Sequence, residues 1–517
     1  MKLNYKRTIL VGFAFFLICA FWQAYDATIP VILTNKFGMS QTASGIIMAL
    51  DNILAVFMLP IFGALSDKCR SKKGKRTPFI TIGTIIAAVA LVSLAVVDHV
   101  QLQSLTDVSA IDDPAALSVI YDQQCDATLQ TPEGEEFVLK DVMSKEDFIQ
   151  ITTEISQPDG SKEPNSMYTD YVVPARQACA AVATDHNPVP LYLFIGLLLI
   201  VLIAMSIFRS PAVALMPDVT VKPLRSKANA IINLMGTAGG ILVLVLGIVL
   251  STSAVKNAMM HYYLYYGIIA ALMLGSLLIF LRTVREPQWA KEMQEESAKL
   301  DAEEVQAEEN GEKRRLSKSE IRSMLLILAS VALWYIGYNA VTSKYSLYAS
   351  SVLGMDYNST LLLAQAAAII SYLPAGIVAS KIGRKKTILA GVVMLSTAFA
   401  VAAFMRAGSS PLLMNVLFAL AGIGWATINV NSFPMVVEMC SGADIGKYTG
   451  FYYTASMAAQ IVTPVFSGYL MDQMGMVILF PYAAVFAALA FVTMFFVKHG
   501  DSKAPTKPAL ETFDVED

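Results

Sequence analysis

The stretch from Leu50 to Ile80, LDNILAVFMLPIFGALSDKCRSKKGKRTPFI, constrains this chain more than any other. An apolar run carrying one acid, Asp51, ends at Gly63 and turns through Ser66 and Asp67 into six cations (Lys68, Arg70, Lys72, Lys73, Lys75, Arg76). A new apolar run opens at Pro78. Two such runs joined by a short basic turn read as membrane spans whose turn is held in the cytoplasm, because Lys and Arg are retained on that side. The composition agrees: 55% of residues are hydrophobic and 15% charged, against roughly a quarter charged in a soluble protein.

On the rule that about 20 apolar residues cross the hydrocarbon core, spans are expected near 8–33, 42–65, 78–97, 190–216, 227–251 and 262–282. A second set is expected near 322–346, 359–380, 387–406, 411–437, 448–470 and 477–497. Twelve spans put both termini on one side. Lys2, Lys6 and Arg7 before the first span, Lys498 after the last, the KIGRKK turn (Lys381–Lys386) and the Lys222, Arg225, Lys227 loop make that side the cytoplasm. The expected class is an all-α membrane protein with twelve transmembrane helices in two six-helix bundles and an extracellular insert, multi-pass in the cell membrane. The first run lacks a small-residue cleavage site and reads as a retained span.

The expected divisions are 1–97 (three spans), 98–189 (insert), 190–282 (three spans), 283–321 (cytoplasmic linker), 322–498 (second bundle) and 499–517 (cytoplasmic tail). From Asp98 to Pro188 the insert holds 17 acids against 4 bases, with enough apolar residues around Phe137, Leu139 and Phe148 for a small cap of short helices. A bridge between its Cys125 and Cys179 is compatible with an outward-facing position. The Glu- and Lys-rich linker reads as a solvated surface helix or a tether, and the tail as disordered.

The turns also repeat. GALSDKCRSKKGKRT (Gly63–Thr77) recurs in shortened form as GIVASKIGRKKT (Gly376–Thr387). Asp218 precedes Lys227 by nine positions, as Glu438 precedes Lys447. Two related bundles about an axis along the membrane normal, with a site between them at mid-depth, is a transporter plan. Asp67, Arg76, Asp218 and Glu438, at cytoplasmic span ends, are gating candidates for an ion-pair latch released as the bundles rock. The other reading of the basic turns is a topology signal alone.

Gly-x-x-Ser-Asp followed by a basic run and Arg-x-Pro-Phe-Ile resembles the major facilitator superfamily. LDNILAVFMLP, RSPAVALMPDV with LRSKANAIINLMG, LWYIGYNAV, and FPMVVEM with GKYTGFYY are similar to its sucrose-transporter and glycoside–pentoside–hexuronide cation symporter branch. The resemblance covers both halves but not the 98–189 insert. It implies the major facilitator fold and cation-coupled symport, by proton or sodium, of a sugar or sugar-like solute through alternating access. One departure stands out: Asn339-Ala340 is followed by Val341, Thr342, Ser343 and Lys344, where the branch often carries an acid. A cation there makes a sugar acid or other small organic anion the alternative solute.

An ionisable side chain inside a span costs roughly 2.5–3.5 kcal/mol on insertion scales and is usually retained for function. Asp26 in span one and Asp51 in span two are therefore the cation-coupling candidates, each able to take a proton or, among oxygen neighbours, sodium. The alternative is an ion pair, for example Asp51 with Lys344. Arg209 in span four is open between an inner-cavity ion pair and solute contact. Sugar recognition combines aromatic faces with a few placed polar groups. The substrate-binding candidates are Trp22, Gln23, Tyr25, Asn52, Asn233, Tyr335, Tyr338, Asn339, Lys344, Trp425 and Asn429, beside Trp334, Gln365 and Asn431. Among these, Tyr335, Tyr338 and Asn339 cluster at spacings that share a helix face, and amides within a span turn inward for partners.

No glycine loop with Gly-Lys-Ser/Thr is present, so ATP does not drive this chain. The four histidines lie outside the span centres, which argues against a metal site or histidine relay. The expectations are no enzymatic activity, no cofactor beyond the coupling proton or sodium, no nucleic acid, and a monomer whose partners are a small solute and the bilayer. Two rivals remain: a polyspecific exporter of the same fold, whose pocket would be more uniformly apolar, and a transporter-like sensor whose acidic insert binds a partner.

Overall fold

The computed structural model describes residues 3–156, 162–221, 225–304, 317–437, 439 and 445–500. The apolar runs are helices, as they must be: hydrocarbon offers no partner to backbone groups, so a spanning segment has to close its own hydrogen bonds. The first half opens with α1 (Tyr5–Asn35), α2 (Gln41–Lys68) and α3 (Thr77–Gln103). The insert follows: α4 (Thr106–Ser109), α5 (Pro114–Gln124), an antiparallel hairpin of β1 (Thr128–Gln130) and β2 (Glu136–Val138), then α6 (Leu139–Val142) and α7 (Lys145–Phe148). A second hairpin, β3 (Glu154–Ser156) with β4 (Lys162–Pro164), precedes α8 (Val173–His186). Helices α9 (Val189–Asp218), α10 (Arg225–Val249) and α11 (Tyr263–Thr283) complete the first half, and the linker forms α12 (Glu286–Glu304). The second half is α13 (Lys318–Tyr348), α14 (Tyr357–Ile382), α15 (Arg384–Ala402), α16 (Pro411–Val437), α17 (Ile445–Met474) and α18 (Leu479–Phe495).

Among the described residues, ten helices are long and apolar enough to cross a membrane. Helices α14 and α17 are not in that set, yet they pack lengthwise among the others, α14 on α16 and α10, α17 on α2 and α13. Each half has its own core, one around Phe21, Leu94 and Phe208, the other around Trp334, Tyr345 and Phe480. Between halves, α2 packs on α17, α10 on α14 and α1 on α13. Numbering the spans in order, two meets eleven and five meets eight, a pattern that maps onto itself when each span is exchanged with its counterpart six later. This is the contact pattern of the duplication that the turns suggest. Glycine permits the closest approach: a Cβ on Gly45 would sit 2.1 Å from the Pro464 carbonyl, and one on Gly468 2.2 Å from that of Gln41.

Three expectations change. Helix α3 runs through Asp98 to Gln103, so the insert begins at Ser104 rather than at 98. The acid that looked like a span end is buried and neutralised: Lys36 Nζ donates to Asp98 at 2.6 and 2.8 Å and to the Met260 carbonyl at 2.8 Å. The insert is also more than short helices. Its first hairpin joins, through Phe137, a core of Leu102, Ile120, Leu139, Phe148 and Tyr168, while β3 of the second is exposed. Cys125 and Cys179 are free thiols, not a bridge; Cys179 lies inside this core, and burial pushes its thiol up to about 11.

The linker is not a tether at its start. Glu286, buried, accepts from the backbone N–H groups of Lys75 (2.6 Å), Arg76 (2.8 Å) and Thr77 (2.8 Å), supplying acceptors to the first turn of α3. Arg7 Nη1 donates to Glu292 at 2.5 Å and its guanidinium lies over Trp289.

The Lys36–Asp98 pair is fully buried on both sides. Removing one member leaves the other charged and unpaired, at a cost of about 3–5 kcal/mol. Lys36→Met should therefore lower the unfolding temperature of the purified protein sharply. Lys36→Met with Asp98→Leu should restore much of the loss, as read by thermal unfolding in detergent. Equal losses in single and double variants would show that the pair does not act as a unit.

Candidate solute cavity

A cavity of about 360 Å³ lies between α1, α10, α13, α14 and α16. One face of α1 supplies Cys19, Trp22, Gln23 and Asp26, which recur at spacings of three and four. Helix α13 supplies Tyr338, Val341, Thr342 and Ser346 on the same rule, and α16 supplies Trp425. The rings of Tyr338 and Trp425 stack with centroids 3.7 Å apart and planes 1° from parallel, and Tyr335, outside the cavity lining, meets Trp425 edge-on at 5.2 Å from behind. Gln365 of α14 donates to Gln23 across the gap at 2.5 Å, and Ser346 donates to the Asp26 backbone carbonyl at 3.2 Å. The cavity thus has an aromatic wall, an amide pair spanning the halves, and one carboxylate. Among the described residues, the Asp26 carboxylate has neither a salt bridge nor a hydrogen bond, and it faces this space.

Of the expected solute contacts, the structure brings together Trp22, Gln23, Tyr338 and Trp425, with Gln365 beside them. The others lie elsewhere. Tyr25 is buried behind Trp22, its ring 5.4 Å from the indole. Asn52 donates to the neighbouring Asp51 carboxylate, from its backbone N at 2.5 Å and from Nδ2 at 2.6 Å. Asp51 is not in the cavity wall. Arg209 lies within electrostatic reach of Asp51 and packs over Trp22 at 5.6 Å. Asn233 is exposed on α10, Asn429 is half-buried on α16, and Asn339 is on α13 with its Nδ2 buried and unpartnered; none of them lines the cavity. Trp334 is wholly within the core of the second half, and Asn431 donates to the Thr427 carbonyl.

Lys344 is buried and turned away from the cavity, donating to the Gln41 carbonyl at 2.9 Å on the first half. The Asp51–Lys344 pair considered from sequence does not form.

At the linker end of the first half, Arg76 gathers three helix ends. Its Nη2 meets Asp67 at 2.5 Å, its Nε meets Asp218 at 2.7 Å, and its Nη1 donates to Ser66 Oγ at 2.5 Å. All of these partners belong to the first half. Glu438 lies outside the described residues.

The opposite end carries a closure that sequence reasoning missed. Asp472 at the end of α17 accepts from the backbone N–H groups of Gln41 and Thr42, each at 2.7 Å, and from the Thr42 hydroxyl, so an acid of the second half caps a helix of the first. Asp356, the N-cap of α14, also accepts from the Ser253 hydroxyl across the gap. The Tyr357 hydroxyl and Asn358 Nδ2 reach Thr252 at 3.1 and 3.0 Å. The cavity is roofed on the insert side.

Comparison with known proteins completes the picture. The family model described as Major Facilitator Superfamily matches residues 175–372 and 357–515, and that described as MFS/sugar transport protein matches residues 10–104. An MFS-type transporter, ppzB, of Metarhizium rileyi is 29% identical over 164 residues, 31% of this chain and 33% of that protein. Its namesake in Metarhizium majus is 30% identical over 134 residues, 26% of this chain and 29% of that protein. The match spans about a third of the length of these curated relatives. Among solved structures, the inward-open xylose transporter XylE from E. coli aligns with TM-score 0.56 at 14% identity, over 99% of this chain and all of that one. A D-xylose-proton symporter aligns with TM-score 0.58 at 13% identity, over 96% and 99% of the two chains. The peptide transporter POT in complex with sulfate aligns with TM-score 0.57 at 10% identity, over 95% and 93%. These likenesses carry the fold. With the duplicated helical halves and family models reaching from residue 10 to 515, they lead to one conclusion: the chain belongs to the major facilitator superfamily.

Proposed function

We propose that this multi-pass membrane protein is a cation-coupled symporter of a neutral sugar-like solute. The observation that carries the reading is the unpaired Asp26 carboxylate opening onto the same cavity as the Tyr338–Trp425 stack and the Gln23–Gln365 pair. Aromatic faces suit the C–H surfaces of a sugar ring, and amides and hydroxyls suit its hydroxyls. Neither Lys344 nor Arg209 is in the cavity wall. An organic anion would meet the charge of Asp26 there with no lining cation to offset it, so the neutral solute is favoured over the sugar acid. A uniformly apolar exporter pocket fits less well with this polar lining. The family model for sugar transport over residues 10–104 and the xylose-transporting neighbours favour the same class.

In this reading Asp26 carries the coupling proton or sodium, and Asp51 with Arg209 sets the field behind it. The insert faces outward and the linker faces the cytoplasm of the cell membrane. The support is the crowd of cations at the linker-side turn, Lys68 to Arg76.

Asp26→Asn should abolish accumulation of radiolabelled sucrose against its gradient in reconstituted vesicles while sparing sucrose exchange at equal concentrations. Accumulation at the wild-type level would remove Asp26 from coupling. Trp425→Ala should raise the half-saturating sucrose concentration about tenfold, ~1.4 kcal/mol of lost aromatic contact. An unchanged value would move the solute off the aromatic wall.

A further inference from the structure

The insert is built on the first half and reaches over to the second. It continues directly from α3 and into α9, and Leu102 of α3 and Met259 after α10 belong to its core. Gln177 of α8 donates to Asn35 at 2.8 Å, Gln101 of α3 donates to Thr184 at 3.1 Å, and a Cβ on Gly38 would fall 2.3 Å from the Ala181 backbone. Within the insert, buried Arg176 donates to the Val108 carbonyl at 3.0 Å and to the Tyr168 hydroxyl at 2.6 Å. This body is fixed to the first half.

Its contact with the second half is of another kind. The tip of the β1–β2 hairpin, Pro132 to Gly134, lies against two loops on the insert side. Val477 N donates to the Pro132 carbonyl at 3.2 Å, and Gly134 and Gly475, both at positive φ, meet with no room for a side chain on either. Arg406, after α15, donates from Nε to Glu133 at 2.7 Å. Its Nη1 is held by the Ala403 and Met405 carbonyls at 2.9 and 2.8 Å, so the guanidinium is already aimed. Glu133 faces Asp170 and, beside it, Glu135, leaving Arg406 as the cation that answers this acidic tip. Both members of the Glu133–Arg406 pair are partly exposed, 52% and 39%.

We infer that the β1–β2 hairpin is a strap that fastens the second half to the first while the insert side is closed, and that it lets go whenever that side opens. The two modes of attachment argue for this. A rigid tie would use buried pairs on both sides, as Lys36 and Asp98 do within the first half. Here one end is buried, while the hairpin tip meets the second half through one backbone bond, the Gly134–Gly475 packing and one partly exposed ion pair, with Pro164 of β4 against Gly354 beside it. An exposed pair holds a state by about fivefold or less, which suits a contact broken in every cycle. The route of separation also favours it: Asp472 on α2 and Asp356 on Ser253 lie on the same side, and opening there must part the hairpin from Gly475 and Arg406 as well. The inference needs the halves to rock but does not depend on the solute or on the role of Asp26.

The test uses the full chain in nanodiscs with its five native cysteines replaced by serine. Spin labels at Glu135→Cys and Ser410→Cys report the strap, and labels at Lys72→Cys and Lys386→Cys, in a separate variant, report the linker side. Two strap distances are expected. Glu133→Arg should shift population from the short to the long one by about twofold to fivefold, with a matching gain of the short linker-side distance. Glu133→Arg with Arg406→Glu should restore both distributions. A strap distance that Glu133→Arg leaves unchanged, a release without change at the linker side, or a charge swap that restores nothing would each overturn the proposal.

Discussion

The first amide groups of a helix have no partner within it, and where helices end at a membrane face something must supply acceptors. In this protein carboxylates from distant segments do so. Asp472 takes the N-terminal amides of α2 from 430 residues away, and Glu286 takes those of α3 from 209 residues away. Asp356 caps its own helix and with one of the capping oxygens accepts from the Ser253 hydroxyl. Two of the three reach between the halves, and both of those are on the insert side. The cost of leaving such groups unpaired therefore favours closure on that side, and opening it requires water to take their place.

The other end is organised differently. Arg76 binds Asp67, Asp218 and Ser66 within the first half, so its charge stiffens one bundle in this conformation rather than joining two. With Glu286 holding the start of α3 beside it, the linker, the basic turn and the ends of α2 and α9 form one block. In the proposed cycle the halves would rock as bodies about the cavity, where, among the described residues, softer contacts join them: the Gln23–Gln365 amide pair and the Ser346 hydroxyl on the Asp26 carbonyl. A solute with hydroxyl groups can replace an amide–amide bond at little cost, since both are neutral hydrogen bonds of about 1 kcal/mol net.

The helical layout was legible in the residues because hydropathy reports it directly; the helices at the expected spans begin and end within a few residues of them, apart from α3. There a buried Lys36 hid the fact that Asp98 was no end at all. The site was half legible. Depth in a span can be read from sequence, but azimuth needs a reference. On α13 the cavity face is Tyr338, Val341, Thr342 and Ser346; Lys344, six residues after Tyr338, lies about 240° round the helix. On α1, Tyr25 is one position off the face set by Trp22, Gln23 and Asp26. Asp472 and Asp356 were missed because an acid in a turn at a span end looks like ordinary solvated charge, and nothing local announces a helix end brought to it from the other half.

The central claim is that solute and cation move together through the cavity at Asp26. The most direct measurement needs no imposed gradient: add sucrose outside vesicles containing the protein and a trapped pH or sodium indicator, and record the ion that follows it in. The account predicts sucrose-dependent entry of protons or sodium, absent when gluconate replaces sucrose. Sucrose entry with no accompanying ion, or ion entry driven by gluconate alone, would contradict it.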